Sequence, residues 1–123
     1  MERFRDYKIT FKSEVRLNIF LEQLKSKLKN GVGFTLGDNN GDNNLIVAYC
    51  NLKAFPKSRI ILYKDNLLVY IANIVPFKES GVDQLSHYQY NGILDAFVSQ
   101  IISNIILSED SVYTNKGTYS IDE

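Results

Sequence analysis

The chain reads as an α+β domain: a mostly antiparallel five-stranded sheet with two helices packed on it, in the order β-α-β-β-β-β-α, followed by a C-terminal tail. Three observations predict this. Residues 59–75 hold two β-rich, nearly uncharged runs, Arg59–Tyr63 and Leu67–Val75, around Lys64-Asp65-Asn66. Asp and Asn tolerate left-handed φ and bond to nearby backbone, so this is a hairpin. Two other stretches, beginning at Ser13 and Ser86, repeat apolar residues at helical spacing. Between the first helix and the hairpin, Val32–Leu36 and Leu45–Leu52 flank a polar turn and read as a second, long-looped hairpin.

At the N-terminus, Tyr7, Ile9 and Phe11 alternate with Asp6, Lys8 and Thr10, the pattern of a strand with one wet face. Ser13 can then accept from the free amides of a helix start, with Glu14 at the positive end of the dipole. Leu17, Phe20, Leu21, Leu24 and Leu28 fall on one stripe, and Val15 and Ile19 form a small second patch on its back. Asn30-Gly31 is expected to end this helix with a left-handed cap. Gly33, Thr35 and Gly37 leave one side of the next strand almost bare, which permits close approach of a packed helix or a ligand.

Strand alternation in the central hairpin places Leu68, Tyr70, Ala72 and Ile74 on one face, and Leu67, Val69, Ile71 and Val75 on the other. Both faces are apolar, so the hairpin belongs in the middle of a sheet shielded on both sides. After Pro76 and a loop, Ser86-His-Tyr-Gln89 has capping-box spacing, with Leu85 and Tyr90 placed as the accompanying staple. The second helix carries Tyr90, Ile93, Leu94, Phe97, Ile101 and Ile105, with Gly92 either permitting close packing or marking a later start. Its end, with Ile101, Ile102, Ile105, Ile106 and Leu107, is apolar over too wide an arc for a half-exposed helix. Residues 1–107 are thus expected to form one domain. Residues 108–123 form a tail or a small hairpin packed on it, Asn115-Lys-Gly117 lying between two short β-prone runs.

The chain's 123 residues suffice for a core without disulfide or metal staples, and 45% hydrophobic with 23% charged residues is a globular composition. The single cysteine, Cys50, has no internal disulfide partner and sits in a strand-like run as a small buried hydrophobe. With no signal peptide and no apolar run of membrane-spanning length, the expected location is the cytoplasm, with no membrane partner.

Net charge is zero but unevenly spread: residues 1–64 carry 12 Lys/Arg against 6 Asp/Glu, and residues 65–123 carry 2 against 8. Halves interleaved in one small sheet would cancel most of that field. Asn, Ile, Lys and Tyr, all with AT-rich codons, supply 43 of the 123 residues, so an Asn-rich stretch here carries little functional signal.

Several chemistries find no support. Asp38, Asn40 and Asp42 are spaced like the first calcium ligands of an EF-hand, but Asn43 and Tyr49 stand where its glycine and bidentate glutamate belong. One His and one Cys do not make a zinc site. His87, the only imidazole, sits in a helix-capping stretch, where a structural role outweighs general-base catalysis. No nucleophile elbow or phosphate-cradling loop occurs. No catalytic residue, metal or cofactor is therefore assigned.

Two readings remain. The first is a small, non-enzymatic, homodimeric protein-binding module of the kind bacteria use as immunity, antitoxin-like or accessory proteins. Its interface would lie where two helices leave one sheet face bare, at Ile61, Tyr63, Val69 and Ile71 or their opposite-face neighbours. The alternative is a nucleic-acid-binding protein, or a small metal-independent ribonuclease, using the basic first half. Lys53, Lys57, Arg59 and Tyr63 would then supply the phosphate and base contacts.

Overall fold

A computed structural model describes residues 4–105 and the backbone of residues 118–121. The fold is α+β, and every strand pairing is antiparallel. Strand β1 (Arg5–Thr10) leads into helix α1 (Glu14–Lys29), followed by β2 (Phe34–Leu36), β3 (Leu45–Cys50), β4 (Ser58–Asp65) and β5 (Leu68–Pro76). Helix α2 (His87–Phe97) continues through a π-helical stretch, Val98–Ile102, into the short turn α3 (Ser103–Ile105). The tail supplies β6 (Thr118–Ile121), so the expected five strands become six, in the order β2-β3-β4-β5-β1-β6. The readings made for residues 106–117 lie outside the described residues.

Local chemistry accounts for both helices. Ser13 caps α1 by accepting from the Arg16 amide at 3.2 Å. The stripe Leu17, Phe20, Leu21, Leu24 and Leu28 is wholly buried, each side chain contributing about 1.5–3 kcal/mol. In α2 the Ser86 hydroxyl accepts from the Gln89 amide while the Gln89 side chain accepts from the Ser86 amide, a complete capping box. Leu85 and Tyr90 beside it are both buried. Gly92 is an interior helix position that permits close packing: a Cβ there would lie 2.6 Å from the Phe55 ring.

The π-helical stretch explains the described part of the over-wide apolar arc, Ile101 and Ile102. The Ser103 amide bonds the Val98 carbonyl, five residues back. The extra residue rotates the stripe, so consecutive Ile101 and Ile102 are both buried.

Both helices pack on one face of the sheet, in a single core with Ile9, Ile46, Ala48, Cys50, Ile60 and Leu62. Buried Asn91 of α2 accepts from the Arg5 amide at 2.9 Å, and Arg5 also forms an ion pair with Asp95 at 2.9 Å. That pair joins the basic and acidic halves of the chain.

The central hairpin is as expected, but its turn and its faces differ in detail. Asp65 pairs with Leu68, so the turn is Asn66-Leu67, with Asn66 left-handed (φ 53°) and Leu67 exposed. The register shifts between Ile61 and Leu62, leaving Ala72 as an extra residue in β5. This bulge breaks strict alternation. Ile74 joins Val69 and Ile71 beneath the helices, whereas Asn73 and Val75 join Leu68 and Tyr70 on the opposite face.

Gly31 differs too. Its φ is not left-handed; it is needed because a Cβ would overlap the Phe34 carbonyl oxygen.

Candidate functional site

The face turned away from the helices is the chain's most distinctive surface. Register puts Leu45 opposite Tyr63, Val47 opposite Ile61, Tyr49 opposite Arg59 and Tyr63 opposite Tyr70. Directly opposed residues of an antiparallel pair point to the same side, so these side chains form one continuous field. Val47 is 6% exposed and, among the described residues, is the one buried hydrophobic outside the main core. Leu45, Ile61, Tyr63, Leu68 and Tyr70 are half-buried. Neither α1 nor α2 contributes to this field, because their buried hydrophobic side chains all belong to the core on the other face.

The aromatic rings are held by one another. Tyr63 and Tyr70 stack with centroids 6.0 Å apart, and Tyr49 meets Phe77 edge to face at 5.2 Å. The Arg59 guanidinium lies 5.0 Å from the Phe77 centroid, a cation–π contact. The bare side of β2 is filled from within: the Tyr49 ring occupies the space a Cβ at Gly37 would need, and Leu52 does the same at Gly33. The Tyr49 hydroxyl accepts from the Asp38 amide at 3.2 Å. A shallow hollow of about 400 Å³ lies where Asp38 and Asn40 approach Leu45, Tyr49 and Arg59.

The sequence-predicted interface is thereby corrected. Ile61 and Tyr63 lie on the open face and are half-buried. Val69 and Ile71 do not; they are 2% and 6% exposed, sealed beneath the helices. Tyr63 pairs with Tyr70, so Leu68 and Tyr70, not Val69 and Ile71, share the open face with Ile61 and Tyr63. Leu68 and Tyr70 are among the opposite-face neighbours that the sequence reading allowed, whereas Tyr49 and Phe77 were not singled out; the signal that joins Tyr49 and Tyr70 to Ile61 and Tyr63 is cross-strand register, which the hairpin turn sets.

The four residues of the nucleic-acid reading divide. Lys53 and Lys57 are exposed on the connection between β3 and β4. Arg59 and Tyr63 share the open face four residues apart, about 13 Å along the strand. On the strands with described side chains, this face carries Lys8 and Arg59 against Asp6 and Asp65, so it has no net charge.

The remaining reactive groups are accounted for structurally. Cys50 is buried, and burial pushes its thiol pKa up, only partly offset by a backbone hydrogen bond at Leu52. His87, the first residue of α2, packs edge to face on Phe4 with centroids 4.3 Å apart. In the polar turn the Asp38 and Asp42 carboxylates accept from the Asn40 and Asn44 amides, holding the loop itself. Among the described residues no group of three His, Cys, Asp or Glu is placed to hold a metal ion, and no helix is long and apolar enough to cross a membrane.

Comparison of the chain with protein-family models, curated proteins and solved structures finds no match.

Proposed function

We propose that this chain is a non-enzymatic protein-binding module whose open sheet face is its docking surface, and that the occupant of that face is a second copy of the chain. The observation that supports this is the field of half-buried Leu45, Ile61, Tyr63, Leu68 and Tyr70 around buried Val47, on the face away from the helices. Two such faces can pack about 10 Å apart with their side chains interdigitated. A two-fold axis makes that interface self-complementary.

Charge favours this occupant. Equal numbers of cations and anions on the described strands of the face mean that these do not repel between two copies, whereas a phosphate backbone requires an excess of positive charge. The rings also contact one another and Arg59, which makes the surface stiff and reduces the side-chain ordering that association costs.

Sedimentation velocity over a concentration series tests the proposal. The parent protein is expected to sediment as a dimer, and Ile61→Lys as a folded monomer. Val15→Lys, which alters the exposed apolar patch on the back of α1, should leave the dimer intact. A parent protein that stays monomeric at high concentration, or a dimer lost through Val15→Lys and not through Ile61→Lys, removes this reading.

A further inference from the structure

The sheet contains a second feature, a split between β1 and β5. Their register runs Thr10↔Leu68, Ile9↔Val69, Lys8↔Tyr70 and goes no further, although β5 continues to Pro76 and β1 begins at Arg5. The bulge at Ala72 turns β5 away, and the two strands part around a cleft of about 480 Å³. Five consecutive residues of β5, Ala72 to Pro76, form one wall; Phe4 and Asp6 line the other, and Asp83 to Leu85 with Tyr90 close the end.

Backbone direction along β5 follows from its pairing with β4. The Phe77 amide bonds the Lys57 carbonyl at 2.8 Å, so alternation assigns the β4 bonds to Asn73 and Val75. Ile74 therefore turns its amide and carbonyl into the cleft. Its amide is met there by the side-chain oxygen of its own neighbour, Asn73, at 2.8 Å. Asn73 stands in for a strand.

The geometry points to this cleft as a strand-addition site for an extended peptide carrying a basic side chain. The peptide backbone would pair with Ile74, displacing the Asn73 side chain, as edge-strand recognition does elsewhere. One peptide side chain would rest on Phe4, Ile74 and Tyr90, and a Lys or Arg would meet the exposed carboxylate of Asp83, with Asp6 on the facing wall. The cleft adjoins the open face and shares Asp6, Asn73 and Val75 with it, whereas Ile74, Asp83 and Tyr90 belong to the cleft alone.

The probe is a fluorescein-labelled heptapeptide of alternating Val and Lys, followed by anisotropy and by amide chemical-shift mapping. Saturable binding is expected, with shifts centred on Ala72 to Val75. N-methylation of alternate peptide residues removes the donor that meets the Ile74 carbonyl and should weaken binding roughly fivefold, from one lost hydrogen bond. Asp83→Lys should weaken binding, and Asn73→Ala, which removes the competing acceptor, should strengthen it. Leu45→Lys, in the open-face field but away from the cleft, should have no effect, which separates failure of this site from failure of the dimer. Equal binding of the N-methylated peptide, shifts that map elsewhere, or no binding of the parent peptide would each overturn the assignment.

Discussion

Gly31 joins α1 to β2, and replacing it with alanine probes how tightly that junction is built. The added Cβ would overlap the Phe34 carbonyl oxygen and lie 3.1 Å from its carbon, with the Leu28 carbonyl oxygen 3.4 Å away on the other side. All three neighbours are backbone, so no rotamer change relieves the collision. Either the end of α1 or the start of β2 must move, and each is anchored. Leu28 and Phe34 are 0% and 1% exposed, and the Phe34 ring packs edge to face on Phe97 at 5.3 Å. Overpacking that moves backbone costs about 1–3 kcal/mol; with both sides anchored the upper end applies. Alanine recovers about 0.4–1 kcal/mol by restricting the unfolded chain. The net loss is about 2 kcal/mol, or a fall of roughly 8 °C in Tm for a domain of this size. Gly33→Ala is the comparison, because its added Cβ collides with the tip of the Leu52 side chain alone, which can rotate away, and makes an ordinary contact with Gln100. Urea unfolding followed by circular dichroism should place Gly31→Ala well below Gly33→Ala with the m-value unchanged. If Gly31→Ala lies within about 0.5 kcal/mol of the parent, the size of a typical neutral surface change, the junction is looser than the geometry says.

Three further outcomes follow. Ser86→Ala removes the acceptor of the capping box and should cost about 1 kcal/mol by thermal unfolding, with Ser86→Asp close to the parent. Cys50 should resist a thiol reagent in the native state and react only at the rate of unfolding. Because burial raises its pKa, the unfolded chain loses this proton first as pH climbs past the ordinary thiol value of 9.0, so its contribution to stability is intact below that value and declines above it. A labelled single-stranded DNA oligonucleotide should show no saturable binding at low salt. Tight binding that collapses on adding salt would instead restore the nucleic-acid reading of Lys53, Lys57, Arg59 and Tyr63.

What the sequence made legible is what local chemistry determines. The α1 stripe, the Ser86 capping box and the hairpin around Asn66 each announce themselves within a few residues, and each stands in the structure. The bulge does not. One extra residue in a β-prone run leaves no compositional trace, yet Ala72 decides that Ile74 and not Val75 is buried under the helices. Faces on neighbouring strands are likewise set by register, which is why Ile61 and Tyr63 were placed with Val69 and Ile71 when Leu68 and Tyr70 are their neighbours. Gly31 and Gly37 show a similar boundary. Their sequence signal is bare backbone; what approaches, the Phe34 carbonyl in one case and the Tyr49 ring in the other, is decided by tertiary structure.

The most direct test of the open face as a self-association surface is to follow backbone amide chemical shifts while diluting the protein. The account predicts concentration-dependent shifts confined to the runs 45–49, 59–63 and 68–70, with the amides of α1 and α2 unmoved. Shifts that instead centre on Val15 and Ile19 of α1, or spectra that do not change with concentration while the protein remains monomeric, would contradict it.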